Sequence, residues 1–435
     1  MRKSFGTRSI ELLSLAARVG AREAAQRWLG PAHPDAKSTE ASRLKQAQAI
    51  VESLSQLKGA AMKVGQLLSI DAGDYFPPEA IEVLSRLQAQ AEPVPFSQLE
   101  PVLIEDLGLE RFRDFKNLNR APVASASIGQ VHRAELHGES VALKIQYPGV
   151  AESIDADVNI VRKLGQTLAQ LSGRQEIELA PVFEELRRVL HQEADYRIEL
   201  QALADYRRHA EGLDGIRVPL AIESHSGRRV LTMSWENGVS LDDWMRSKPP
   251  LARRERLARA MLDLFCREFF VWGLVQTDPN FANFLISQRD ELILLDFGAT
   301  LRYDEDFRQD YTRFLRTMGG LNREDIWAEG IRFGLLDERE GAEARENFYQ
   351  LMCCSVEPFF VSRQPFAFED IDYARRTREA GQKFAMSLKY SAPPHRILFL
   401  HRKLGGLFNF VKRLDVRLDL TEFWQRMVGG ELPAR

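Results

Sequence analysis

The chain has 435 residues, 44% of them hydrophobic, with 59 basic and 62 acidic side chains and a net charge of −3. That length suits two or three domains or one large two-lobed unit, and the composition is that of an ordinary globular protein. The near-balance of charge leaves no argument for a nucleic-acid partner, no stretch approaches the ~20 consecutive apolar residues of a membrane span, and Cys266, Cys353 and Cys354 show no metal spacing and suit a reducing compartment.

Residues 1–30 lack the apolar core of a secretory signal and carry Arg2, Lys3, Arg8, Arg18, Arg22 and Arg27 against Glu11 and Glu23. Ile10, Leu12, Leu13, Leu15 and Val19 interleave with these in a roughly helical pattern. The ordinary reading is a surface helix; the alternative is a basic helix docking on anionic lipid. GPAHPDAKST (30–39) reads as a linker. From Ser42 to Leu68 apolar residues recur every three or four positions, as in a helix, and Phe76-Pro77-Pro78-Glu79 breaks and restarts it. Residues 111–148 read as strands, with VASASIGQVHRAEL and VALKIQYP forming a hairpin around HGES. Residues 151–212 read as helical with a break near Ser172-Gly173. IRVPLAIESHSGRRVLTMSW reads as a strand pair turning at Ser226-Gly227. Beyond Leu241 the pattern is helical except for a hairpin at 284–296, FLIS and ELILLDFG around SQRD. In His395–Lys412 apolar residues alternate with Arg396, His401, Arg402 and Lys403, which predicts a core helix with a charged outer face, or else a lipid-facing one.

Chemistry concentrates in QTDPNFANFLI (276–286) and LILLDFGAT (292–300). Asp278 and Asn283 stand in the D-x-x-x-x-N order, and Asp296 opens a D-F-G, as in a protein-kinase catalytic loop and metal strand. In that arrangement one carboxylate orients a hydroxyl or water, while the Asn oxygen and the second carboxylate hold Mg²⁺ against nucleotide phosphates. Lys144, in VALKIQ, matches the strand lysine that reaches the phosphates. Where a kinase has G-x-G-x-x-G, this chain has Pro122 to Val131 with Gly129 alone, so Ala124, Ser125, Ala126 and Ser127 are the candidate nucleotide loop, together with Met233 further on. The candidate cofactors are ATP and Mg²⁺.

PVASASIGQVHRA, VALKIQYPG, QTDPNFANF and LDFGAT together resemble the UbiB family of atypical kinase-like proteins, from about residue 42 to beyond residue 300. The family's K-x-G-Q motif matches Lys63, Gly65 and Gln66; its E-x-D motif matches Glu193 and Asp195; and Glu199 matches the position that pairs with the phosphate lysine. Lys63 and Gln66, three apart, share a helix face; if the extension folds over the cleft as a lid, Lys63 is a candidate partner of Glu193 or Asp195, regulating access. Ser234, in LTMSWENG, stands where the family often has an acidic residue. QTDPN in place of H-x-D-P-H looks like the branch tied to coenzyme Q biosynthesis.

The resemblance implies an α+β, bilobal protein-kinase-like fold: a basic segment and linker (1–40), a helical extension (41–100), an N-lobe with a small antiparallel sheet (101–235) and a helical C-lobe (236–435). It implies an Mg-dependent ATPase that supports ubiquinone biosynthesis by handling lipid-like or quinone precursors or organising pathway enzymes. Catalytic roles fall to Asp278, Lys144 and Glu199, and metal binding to Asn283 and Asp296. The expected location is cytoplasmic, with an anionic inner-membrane surface as a candidate partner. Two alternatives are a true protein or small-molecule kinase, and a nucleotide-binding scaffold without catalysis.

Overall fold

A computed structural model describes residues 94–171, 180–391, 395–429 and 433. Helices α1 (Phe96–Leu107) and α2 (Leu109–Asp114) lead into strands β1 (Ala124–Ser125), β2 (Gly129–Leu136) and β3 (Glu139–Gln146). Helices α3 (Val150–Leu171), α4 (Ala180–Glu193) and α5 (Tyr196–Ala210) precede β4 (Ile216–Arg217), β5 (Val230–Ser234) and α6 (Leu241–Arg246). Helix α7 (Leu251–Cys266) passes into a π-helical turn, Arg267–Trp272. Next come β6 (Leu274–Gln276), β7 (Phe284–Ile286), β8 (Leu292–Leu294) and β9 (Thr300–Arg302), then α8 (Glu305–Gly319), α9 (Arg323–Arg332) and α10 (Ala342–Val356). The chain closes with β10 (Phe366–Ala367), α11 (Ile371–Ser387), α12 (His395–Arg413), β11 (Arg417–Leu418) and α13 (Thr421–Val428). The class is α+β, and among the described residues no helix is long and apolar enough to cross a membrane.

The chain divides into two compact units. The first comprises, of the described residues, 94–102, 121–131 and 145–194 without 172–179. In it β1 pairs antiparallel with the start of β2, Ala124 opposite Val131 and Ser125 opposite Gln130. The buried Gln130 amide holds the backbone at Val94, accepting from the Val94 N–H at 3.1 Å and donating to the Val94 carbonyl at 3.0 Å. Helices α3 and α4 pack together, and Asp155 receives Arg187 and His191 at 3.2 and 3.1 Å.

The second unit holds residues 103–120, 132–144 and 195–435. Its upper sheet runs β2-β3-β5. The β2–β3 turn is two residues, His137 and Gly138, at φ 52 and 87°, the both-positive form that matches strand twist. The sequence reading gave four residues to this turn, but Glu139 and Ser140 already belong to β3. It also extended strand back to residue 111, where α2 stands; Leu109–Asp114 follows Gly108 at φ 84°, a conformation glycine reaches without strain. The strand pair at 216–235 divides at Pro219, which has no N–H to give a ladder. Ile216 and Arg217 leave to run parallel to β8, whereas Leu220 and Ile222 exchange backbone hydrogen bonds with Ser234 and Thr232.

The hairpin at 284–296 forms, Phe284 opposite Leu294 and Ile286 opposite Leu292. Its turn is built by Ser287, whose hydroxyl oxygen accepts the N–H groups of Arg289 and Glu291, both at 3.1 Å. Asp290 adopts φ 61°, and its buried carboxylate takes Arg253, Arg256 and the Trp244 indole N–H. The pairing of β6 with β9, Gln276 opposite Thr300, was not expected from the sequence; three-residue strands carry too little periodicity to register. Below these strands an aromatic core, including Phe265, Phe269, Tyr311 and Phe314, is covered by α7, α8 and α13.

Candidate active site

Strand β3 is the middle strand of its sheet and is buried on both faces from Val141 onward. Alternation puts Val141, Leu143 and Ile145 on one face and Ala142, Lys144 and Gln146 on the other. Lys144 is thus carried into the interior by a strand that holds it rigidly, with only 6% of the residue exposed. Helix α5 meets it. Asp195 caps this helix, accepting the Arg197 N–H at 3.1 Å, and Tyr196, Glu199, Leu203, Tyr206 and Ala210 form its buried stripe at alternating spacings of three and four. A glutamate on such a stripe must find a cation. Glu199 Oε1 lies 2.7 Å from Lys144 Nζ.

Asp296 is the second anion, with Oδ2 3.3 Å from Lys144 Nζ and Oδ1 accepting the Gly298 N–H at 2.9 Å. Burial opposes the Lys144 charge, but Asp296 and Glu199 outweigh it and hold its pKa well above the usual lysine value. Burial pushes Glu199 up to about 7; Lys144 pulls it back in part, and Asp296 pushes it further. A Cβ on Gly298 would lie 3.3 Å from both Asp296 Oδ1 and Glu199 Oε2, so a side chain at the third residue of the D-F-G string would crowd two carboxylates.

Asp278 and Asn283 sit on the loop between β6 and β7. Thr277 ties that loop to the chain after Gly298, its N–H and hydroxyl both donating to the Ala299 carbonyl, at 2.9 and 2.7 Å. Asn280 caps a short 3-10 turn at Phe281–Asn283. The Asn283 amide nitrogen donates to the Asp278 carbonyl at 3.4 Å, which leaves its side-chain oxygen as the atom that could face a cation, and its own carbonyl accepts the Leu295 N–H at 3.0 Å beside Asp296. Two hard oxygen donors at this junction suit Mg²⁺, whose remaining ligands would be phosphate oxygens and water.

Five residues around this loop were not read as candidates. Arg402, on α12, reaches Asp278 Oδ1 with Nη2 at 3.1 Å. Next to it Lys403 pairs with Glu268 at 2.9 Å and lies 3.4 Å from the Gln276 amide oxygen. Tyr206 donates to Glu268 at 2.8 Å and accepts the Gln276 N–H. The signal was present: Lys403 falls between Leu400 and Leu407 at spacings of three and four, on the buried stripe of α12 and not on its outer face.

The remaining candidates are placed as follows. In the first unit, Ala124 and Ser125 are exposed, and Ala126 and Ser127 are half-buried. Ala126 N–H donates to the Gly129 carbonyl at 2.9 Å, closing a tight turn, and the Ser125 hydroxyl bonds the Tyr147 phenol. Glu193 is buried at the end of α4. In the second unit, Met233 is buried in β5, and the Ser234 hydroxyl donates to Glu236 at 2.9 Å, so a carboxylate stands two residues after the serine. The Asp195 carboxylate takes the Arg197 guanidinium as well as its N–H, and these bonds hold its pKa below the usual range. Lys63, Gly65 and Gln66 lie outside the described residues.

Known proteins resemble this chain in sequence and fold. Residues 86–328 match the ABC1 atypical kinase-like domain. The chain is similar to the mitochondrial atypical kinase COQ8 of Schizosaccharomyces pombe, 32% identical over 87% of this chain and 62% of that protein. It is similar to the mitochondrial atypical kinase coq-8 of Caenorhabditis elegans, 31% identical over 88% of this chain and 52% of that one, and so spans between half and two thirds of these relatives. Among solved structures, the Rv3197–erythromycin complex from Mycobacterium tuberculosis matches with a TM-score of 0.61 and 26% identity, over 90% of this chain and 98% of that one. With its α+β kinase-like fold, this chain belongs to the ABC1, or UbiB, family of atypical kinases.

Proposed function

We propose that the protein binds ATP with Mg²⁺ and hydrolyses it, in support of coenzyme Q biosynthesis. The observation that carries this reading is one lysine between two carboxylates: Lys144 touches Glu199 at 2.7 Å and Asp296 at 3.3 Å. A phosphate entering beside Asp296 meets a fixed cation already oriented by Glu199, so little reorganisation is needed. Asn283 and Asp296 supply the metal's protein oxygens, and the metal, when bound, would neutralise charge on the phosphoryl oxygens. Asp278 orients the attacking water or hydroxyl. Ala124, Ser125, Ala126 and Ser127 replace the glycines of a phosphate loop, and Met233 lines the base. Lys63, Gly65, Gln66, Glu193 and Asp195 are assigned to control of access. Lipid-like quinone precursors, an anionic membrane surface and other enzymes of the pathway are the proposed partners.

The test is ATP hydrolysis with Mg²⁺, with and without anionic liposomes and a phenolic quinone-precursor mimic, in the parent and in Asp278→Asn. Turnover that depends on Mg²⁺ and Asp278 supports the reading. Phosphate appearing on added proteins instead of as free phosphate would replace it with the kinase alternative. Nucleotide binding without any turnover would leave the scaffold reading.

A further inference from the structure

In the H-R-D form of the catalytic loop an arginine directly precedes the aspartate. Here Thr277 holds that place and spends its hydroxyl and N–H on the Ala299 carbonyl. A guanidinium reaches the Asp278 carboxylate from a helix 124 residues further along the chain. Arg402 Nη2 lies 3.1 Å from Asp278 Oδ1, and the two side chains are only 2% and 9% exposed. The contact does not stand alone. A Cβ on Gly406, one turn on, would fall 1.8 Å from Pro279 Cβ, so the helix backbone lies directly against the loop. One turn further, Phe410 meets Phe281 and Phe284 edge-on, with centroids 5.8 and 6.0 Å apart. Residues 402, 406 and 410 share one helix face. Helix α12 lies wholly outside residues 86–328, the span of the family domain.

We propose that Arg402 is a positioning residue for the phosphoryl chemistry: it fixes the Asp278 carboxylate through one oxygen, and α12 is therefore part of the working catalytic loop. A guanidinium suits the task because it stays protonated and so cannot itself take the proton that Asp278 handles. Its rigid planar group, carried on a buried side chain, holds the donor nitrogen in one direction where a lysine ammonium would rotate freely. Desolvating both charges is unfavourable unless the geometry is good, which suits a contact kept for placement over one kept for stability.

This inference rests on the reading of Asp278 given above, and a double-mutant cycle separates the two. Mg-ATP hydrolysis is measured in the parent, Asp278→Asn, Arg402→Gln and the double variant, alongside the melting-temperature rise caused by Mg-ATP. Arg402→Gln is expected to lower kcat about 100-fold, the size of effect a misplaced catalytic group produces. The Mg-ATP stabilisation should remain. In the Asp278→Asn background the same substitution should change turnover by less than about twofold, because its effect runs through the missing carboxylate. Amide exchange at residues 276–283, followed without nucleotide, should quicken in Arg402→Gln. A kcat near the parent's, or an undiminished loss in the Asp278→Asn background, overturns the inference and leaves the functional reading intact. Turnover unaffected by Asp278→Asn overturns both. Should Arg402→Gln fail to fold, Arg402→Lys enters the same cycle, and a loss confined to the Asp278 background supports the same conclusion.

Discussion

Lys144 and Lys403 are both buried lysines paired with glutamate, yet one pair is closed to solvent and the other has an open side. Lys403 faces Glu268 with side chains 3% and 0% exposed, and a tyrosine hydroxyl and an amide complete the cluster. Lys144 faces Glu199 in the same way, but also Asp296, whose side chain is 28% exposed. One lysine sits in a closed pair. The other carries an excess of negative charge on the side open to solvent, which a divalent cation could answer. Burial alone therefore says little about function; the balance of charge and the open edge say more.

The largest effect should come from breaking the closed pair. Lys403→Met leaves Glu268 as an uncompensated buried carboxylate, a change that typically costs about 3–5 kcal/mol. Denaturant unfolding checks it, and adding Glu268→Leu to Lys403→Met should recover most of the loss. Were the single variant as stable as the parent, the contrast drawn here would collapse.

The open site should show itself through pH. Glu199 rises from 4.5 to about 7 on folding, so the folded protein holds a proton there that the unfolded chain has released. Stability from this group is complete below about pH 4.5 and is lost as pH climbs through about 7. At 1.36 kcal/mol per unit the change is on the order of a few kcal/mol. Glu199→Gln should flatten the slope of stability between those values in metal-free buffer. A slope unchanged in that variant would place the titration elsewhere.

Ligand linkage gives a somewhat smaller effect. A nucleotide at one hundred times its dissociation constant stabilises the native state by about 2.7 kcal/mol. Asp296→Asn should lose most of the Mg-dependent part of that gain, read as the melting-temperature shift with Mg-ATP, while the unliganded protein melts close to the parent. The smallest effect belongs to neither lysine. Asp195→Ala removes the cap of α5 and should cost about 1 kcal/mol in chemical denaturation, the usual value for such a cap. A much greater loss would mean that this helix start also holds Glu199 in register.

Much of the site was legible because its chemistry is local. Asp278, Asn283 and Asp296 lie within nineteen residues on one loop and hairpin, and period-two alternation in VALKIQ announces a strand. The β7–β8 hairpin was readable for the same reason. What escaped was long-range or short. Arg402 and Lys403 were assigned to an outer face because charge on a helix is usually solvated; their partners lie more than one hundred residues away, where no spacing rule reaches. Strands β6 and β9 are three residues each, below the length at which alternation can be counted. At 216–222 the pattern was sound and the partner was not, because Pro219 let one half join another sheet.

The π-helical turn at Arg267–Trp272 carries a consequence for how this region can evolve. The Gly273 N–H reaches back five residues, to the Glu268 carbonyl, where an α-helix would reach four. One residue more than an α-helix needs is thus accommodated between α7 and β6. Deleting one residue of that turn and returning it to α geometry would leave the flanking elements nearly in register, because the wider turn advances less per residue than the roughly 100° of an α-helix. A one-residue deletion there should therefore be tolerated better than one inside α7, where it would rotate the neighbouring residues by about 100°. The turn gives this stretch of chain a place where length can change while Glu268 keeps Lys403 and Tyr206.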